Sequence, residues 1–341
     1  MQAAVLREFD TPLVIEDISK PEPGAGQVLV RVAACGVCHS DVHMARGHWE
    51  GFKSLMPLPI VLGHEVAGTV ESLGPRVTRL REGDRVGIPW FHHTCGECEY
   101  CKSDLEVFCT KSAITGVTVN GGFAEYALAW ESHVVPIPDT VSLVDAAPLF
   151  CAGGTVYSAL SKVKLDADTK VAVWGAGGLG LYGIQLAKLS GAHVTAVDRF
   201  ENKFSVARDV GADTTVSAEA AGEWFLDPAN KVDVVLVSAT SVAAYQAAFN
   251  SLRSNGTLLV VGLPSEPLSW TAGALVRSGT RIVPSRVCSR RELGELMDLA
   301  ANNSIRGNVY RYSLAEAEET IELVSRGKIN GRAVLDLSIS R

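Results

Sequence analysis

The sequence carries no surplus of positive charge. Its 31 Lys and Arg are outnumbered by 38 Asp and Glu, for a formal net charge of −7. A general nucleic-acid binder needs a basic face for phosphates, so the charge argues against that class, though not against a local basic pocket for a cofactor phosphate. Long apolar runs are missing too. The hydrophobic stretches are short and broken by Gly, Pro or charge, so no membrane span is expected. The start, MQAAVLREFD, lacks a basic stretch followed by an apolar core. No secretory signal is therefore expected, and a cytoplasmic location is the default. Internal repeats and low-complexity segments are absent as well.

What is present is ordinary globular material: 341 residues, 47% hydrophobic and 20% charged. That length accommodates two domains with sizeable cores. Residues 1 to about 150 read as mostly β, with runs such as QVLVRVAACG, HEVAGTVESLG and DRVGI between dense Gly/Pro turns. The texture changes near residue 153. KVAVWGAGGLGLYGIQLAKLSGAHVTAVD reads strand, glycine turn, helix, strand. Apolar strands follow at 232–239, 257–262 and 281–283, with a helix at 241–252 between the first two. Strands alternating with helices imply a parallel sheet. The tail returns to two helical stretches, RRELGELMDLAANN and LAEAEETIELVSRG, and a closing strand, RAVLDLS.

Eight cysteines are present, and four fall within fifteen residues: Cys95-x-x-Cys98-x-x-Cys101-x(7)-Cys109. Four thiolates can surround one zinc tetrahedrally and leave no position open for water, which makes such a site structural. Disulfides are disfavoured by the expected compartment, and an iron–sulfur cluster is the main competing use of such a run. Gly175-Ala176-Gly177-Gly178-Leu179-Gly180 fits G-x-G-x-x-G. It follows a strand, opens a helix, and precedes a strand ending at Asp198. Its glycines allow close backbone approach to a pyrophosphate at the helix N-terminus, and Asp198 stands where a carboxylate bonds the adenosine ribose. A carboxylate there repels the 2′-phosphate of NADP, so NAD is expected; Arg199, the next residue, is the group that would receive such a phosphate.

Cys38-His39-Ser40-Asp41 and Gly63-His64-Glu65 lie in the β-rich part, and Cys151 lies at its end. Two Cys and one His make the three-ligand catalytic zinc set, with a fourth position open to water or substrate. Taken in order, CGVCHSDVH, GHEVAGTVESLGPRV, GDRVG, the four-cysteine run and GAGGLG resemble the zinc-containing medium-chain alcohol dehydrogenase family. The resemblance extends over roughly residues 5 to 338 and is closest to the tetrameric yeast and bacterial enzymes.

That resemblance implies an α/β fold: a β-rich, GroES-like catalytic domain over 1–152 and 284–341, with a doubly wound Rossmann domain over 153–283 between them. It implies two zinc ions per chain and NAD. The catalytic zinc falls to Cys38, His64 and Cys151, with Glu65 a carboxylate that ligates the metal transiently and Asp41 orienting His64. Ser40 would take the alcohol proton and His43 would relay it outward through the cofactor ribose. Thr155 would touch the nicotinamide, and the backbone of Val261 to Leu263 would bond its carboxamide. Lys203 would sit near the adenosine ribose, and His39 and Arg332 would contact the pyrophosphate. Trp49 and Trp90 align with bulky pocket positions, favouring small primary alcohols such as ethanol, with secondary and aromatic alcohols also in the class. Arg286 and Cys288 depart from the family pattern. A homotetramer is implied by the same analogy.

Plainer roles stand beside these. Cys35 and Cys288 read as core. His48, His92, His93, His133 and His193 read as surface or packing residues. Two other functions compete: a zinc-free quinone or enone reductase of the wider superfamily, and a non-enzymatic NAD-binding protein. The first lacks both cysteine sets, and the second has no use for Cys38, Ser40, His43, His64 and Cys151 together.

Overall fold

The strand Gln27–Val37 is the backbone of the first of two units. It pairs antiparallel with Glu65–Leu73 on one side and Arg332–Asp336 on the other, and Tyr126–Trp130 also pairs with it. Arg85–Ile88 and Val135–Pro136 extend the sheet beyond Glu65–Leu73, and Val309–Tyr312 closes it in parallel with Arg332–Asp336. The computed structural model describes residues 1–303 and 305–339. The first unit comprises Met1–Gly154 and the chain from Cys288 onward; the second is Thr155–Val287.

Register in the first unit gathers residues that are far apart in sequence. Gly36 lies opposite Glu65, and Ala333 lies opposite Val37. The end of Gln27–Val37, the start of Glu65–Leu73 and the start of Arg332–Asp336 therefore meet at one edge of the sheet. Cys38, His64 and Arg332 occupy those ends. Cys151 arrives on the turn Ala147–Phe150, which is locked onto the same sheet. A Cβ on Gly87 would lie 1.8 Å from Cζ of Phe150, so only glycine lets that ring settle there.

Beyond Val37 the chain forms a helix, His39–Ala45, in a region that otherwise reads as β. Asp41 starts it: its carboxylate accepts the Cys38 N–H at 2.8 Å, the acid-to-N-cap half of a capping box.

The second unit is a six-stranded parallel sheet. Its spatial order is Thr214–Ser217, His193–Asp198, Lys170–Trp174, Val232–Val237, Leu252–Val260, Arg281–Pro284. In chain order that is third, second, first, fourth, fifth, sixth, the doubly wound dinucleotide-binding order. Strands so paired are buried on both faces, which is why they are rich in Val, Leu and Ala. Trp174, Val197, Val235, Tyr245 and Leu258 share one core cluster. The fifth strand departs from the pattern expected. It begins at Leu252, which pairs with Val232, and the helix before it ends at Ser251. The ladder breaks at Asn255, whose φ is +62°, and resumes at Thr257 opposite Val234. The apolar run at 257–262 marked only the regular part.

Candidate metal centres and cofactor turn

Asp41 organises the first centre. Besides the Cys38 N–H, its carboxylate accepts the Gly63 N–H at 3.2 Å and lies 3.1 Å from His64 Nδ1. Both Asp41 and His64 are 1% exposed. With Nδ1 held by Asp41, the His64 tautomer is fixed and Nε2 is left over; that nitrogen is buried and has no hydrogen-bond partner among the described residues. Cys38, His64, Glu65 and Cys151 offer one donor atom each, all within 4.8 Å of one another. A buried imidazole nitrogen that makes no hydrogen bond is costly unless something binds it.

The electrostatics agree. Hydrogen bonding from the Cys151 thiol outweighs burial and holds Cys38 well below the ordinary thiol range, with Arg332 and His64 adding to the effect. The same contact and burial drive Cys151 upward. Burial alone would lower His64, but the charge of Asp41 and its hydrogen bond raise it well above the usual histidine value. The set stabilises positive charge at its centre, and a dication bound by two sulfurs and an imidazole satisfies it.

Arg332, expected at a pyrophosphate, has its observed partner in this centre. Its Nη2 donates to both Glu65 oxygens, at 2.5 and 2.6 Å, and lies 3.5 Å from the Val37 carbonyl. Burial lifts the Glu65 carboxyl to about 7 against the opposing pull of Arg332. Gly36 makes room for that carboxylate: a Cβ there would fall 1.8 Å from Oε2. His39 is exposed in the first turn of the helix, and Ser40 Oγ lies 3.7 Å from Cys38 Sγ.

Aromatic rings cluster beside the donor set. Trp90 meets His64 edge-on at 4.8 Å between centroids, and Trp49 stacks on His43 at 4.8 Å. Phe52, which sequence reasoning passed over, lies 5.8 Å from Trp49 and 6.0 Å from Trp90 and joins them. Its only signal was the three-residue step from Trp49, one turn of helix.

The second centre is the four-cysteine set, again with its sulfurs within 4.8 Å of one another. Cys95 Sγ is 3.9 Å from Cys101 Sγ and 3.6 Å from Cys109 Sγ. Zinc–sulfur bonds of ~2.3 Å in a tetrahedron require sulfurs about 3.8 Å apart, so the spacing fits a closed zinc site. Backbone N–H groups of Glu97 and Cys98 bring the Cys95 thiol down to about 6. None of the eight cysteines forms a disulfide.

In the second unit the glycine turn runs from the strand Lys170–Trp174 into the helix Gly178–Leu189. Gly175 has φ +98°, and a Cβ on Gly180 would sit 1.7 Å from the Gly175 carbonyl. A Cβ on Gly177 would meet nothing, leaving open space beside the helix N-terminus where a pyrophosphate fits. Asp198 ends the neighbouring strand and is tied to the turn, since its carboxylate accepts the Ala176 N–H at 2.7 Å. It also accepts the Phe200 N–H at 2.9 Å, and Lys203 Nζ at 3.2 Å. Lys203 thus stands beside the carboxylate that is tied to the glycine turn. Thr155 and Val261 are buried, and Leu263 is exposed just past the fifth strand.

Residues 24–139 match the family model described as the alcohol dehydrogenase GroES-like domain, and residues 178–302 match the zinc-binding dehydrogenase model. The chain is 40% identical over 338 residues to an alcohol dehydrogenase of Geobacillus stearothermophilus, spanning 98% of this chain and 99% of that one. The chain belongs to the zinc-containing medium-chain alcohol dehydrogenase family. Among solved structures of similar proteins is the alcohol dehydrogenase of the archaeon Aeropyrum pernix (TM-score 0.91, 34% identity, 98% of this chain, 100% of that one). Another is an acetophenone reductase of Geotrichum candidum in complex with NAD (TM-score 0.87, 29% identity, 98% and 96%). As a member of this family the protein is an oxidoreductase acting on CH–OH groups, with zinc and NAD as cofactors. Both cysteine sets fit zinc, and the glycine turn fits the dinucleotide. Among the described residues no single helix is long and apolar enough to cross a membrane.

Proposed function

We propose that the enzyme oxidises small primary alcohols reversibly, with NAD preferred over NADP. One observation carries the reading: the buried Nε2 of His64, without a hydrogen-bond partner among the described residues, lies in a donor set with two cysteines, and Trp90 meets the same ring edge-on. Cys38, His64 and Cys151 would hold the catalytic zinc, and Cys95, Cys98, Cys101 and Cys109 the structural one. When bound, the zinc supplies Lewis acidity to the substrate oxygen and the nicotinamide supplies the hydride acceptor.

The chain's own residues do the rest. Asp41 fixes the ring of His64. Ser40 Oγ takes the hydroxyl proton, and His43 passes it outward. Glu65, held by Arg332 within the same donor set, would be the carboxylate that ligates the zinc transiently. Trp49, Phe52 and Trp90 restrict the width of the substrate's carbon chain, which favours ethanol-sized over bulky substrates. Gly175, Gly177, Gly178, Leu179 and Gly180 cradle the pyrophosphate with His39 beside it. Asp198 and Lys203 read the ribose. Thr155, Val261 and Leu263 hold the nicotinamide end. A cytoplasmic homotetramer, supported by the resemblance to the tetrameric enzymes, belongs to the same proposal.

The test joins metal content to turnover. Two zinc per chain and a rise in absorbance at 340 nm with ethanol and NAD are expected, falling off across linear, branched and aromatic alcohols. Fewer than two zinc, or turnover in a verified zinc-free preparation, would overturn the reading.

A further inference from the structure

The sequence alone gives His48 a surface or packing role; the backbone places it against His43. The helix His39–Ala45 ends with Gly47 at φ +63°. The Gly47 N–H reaches the Met44 carbonyl at 3.1 Å, and the His48 N–H reaches the His43 carbonyl at 2.9 Å. This is a Schellman ending, which brings the side chains three residues before and two residues after the cap into contact. In most helices that contact is apolar. Here both residues are imidazoles, with Nδ1 of His43 3.2 Å from Nδ1 of His48 and the ring centroids 5.4 Å apart. Trp49, stacked on His43, fixes the ring. His48 is exposed and His43 only partly so.

We infer that His48 is a positioning residue and proton outlet for His43. The inference rests on the reading of His43 as a proton relay. One nitrogen of the pair carries the shared proton. With it on His43 Nδ1, the Nε2 of His43 is free to accept. His43 takes a proton at Nε2 and gives up the one on Nδ1 to His48 Nδ1. The exposed His48 ring then loses its Nε2 proton to water. One proton enters and one leaves, and exchange with solvent restores the starting tautomers.

The surroundings suit this role. Burial, then the neighbouring charges of His48 and His39, hold His43 below the usual histidine value, against the pull of Cys38. His43 therefore sheds a proton readily once it has taken one. Other charges near the turn are already engaged. Arg46 pairs with Glu318 at 3.0 Å, with Glu322, and with Asp10. Lys53 lies over Phe9 and 3.7 Å from Glu50.

The experiment compares zinc-loaded His43→Gln, His48→Gln and the double variant in the alcohol-oxidising direction, as profiles of kcat against pH. His48→Gln is expected to lose roughly tenfold in kcat near pH 7, less than the ~100-fold of a group at the reacting centre. The loss should shrink at alkaline pH, where hydroxide accepts the proton, and added imidazole should restore it. KM for NAD and the melting temperature should stay put. The double variant should match His43→Gln alone. A wild-type profile for His48→Gln beside an impaired His43→Gln would overturn the inference and leave the relay standing. Independent, additive losses would overturn it too. An unimpaired His43→Gln would overturn the relay reading itself.

Discussion

Arg332 donates to both carboxylate oxygens of Glu65, at 2.5 and 2.6 Å, and the two residues are 267 positions apart in the chain. Arg332 is 5% exposed and Glu65 0%. Removing one member of such a pair strands a charge out of water, at about 3–5 kcal/mol, whereas replacing both by apolar groups is often neutral. Arg332→Met is therefore expected to push the Glu65 carboxyl further up and to destabilise the protein by up to that amount, most at alkaline pH where the carboxylate must stay charged. Arg332→Met with Glu65→Met should recover most of the stability but not the activity. Denaturant titration of both variants decides it; equal losses would mean that the ion pair contributes little beyond packing.

Asp41 should matter to metal affinity as well as to the fold. Its carboxylate fixes His64 through Nδ1, and outer-shell partners of this kind are worth about 10–100-fold in metal binding. Asp41→Asn is expected to lose zinc to a chelator at correspondingly lower concentration. The four-cysteine site should keep its ion, so the metal content should settle at one per chain. Unchanged chelator resistance would remove Asp41 from its orienting role.

The proposed preference for NAD would be set at Asp198. Its carboxylate accepts Lys203 and two backbone N–H groups, and Arg199 stands next to it. Two like charges ~4 Å apart repel by ~1 kcal/mol in water and ~4 kcal/mol at an effective dielectric near 20. Asp198→Ser removes that repulsion and leaves Lys203 and Arg199 to meet a 2′-phosphate. The ratio of kcat/KM for NADP to that for NAD should rise at least tenfold. A ratio that does not move would place the discrimination elsewhere.

The parts of the site legible in the sequence are those whose chemistry is local. Cys95 to Cys109 lie within one loop, and Gly175 to Asp198 within one strand–turn–helix–strand unit, so spacing alone constrains their geometry. Cys38, His64 and Cys151 required family resemblance, because spacing says nothing of convergence across a sheet. The pairing of Arg332 with Glu65 was out of reach. It depends on the register that sets Ala333 opposite Val37 and Glu65 opposite Gly36. The contact between His43 and His48 needed the left-handed turn at Gly47, and an isolated glycine after a short, unforeseen helix does not announce one. Leu252 was assigned to a helix because the broken ladder at Asn255 has no periodicity to read.

His133 gives the fold an acid-sensitive contact beside the four-cysteine lobe. It is 4% exposed, and its Nε2 accepts the Thr94 N–H at 2.8 Å, one residue before Cys95. Ser132 Oγ lies 2.8 Å from its Nδ1. An imidazole that accepts at Nε2 must be neutral there. Burial, with Arg290, His93 and His92 nearby, drives His133 down to about 3. An unfolded histidine titrates near 6.5. Between those values the unfolded chain binds a proton that the native chain refuses, so stability falls as pH drops from about 6.5 toward 3 and is flat above. The slope from this one group approaches 1.36 kcal/mol per pH unit. With zinc in excess, His133→Asn should show proton uptake on unfolding reduced by nearly one at pH 5, a difference that shrinks to about a quarter of a proton at pH 7. If uptake is unchanged, the acid sensitivity comes from other groups, and His133 must be protonated in the native state.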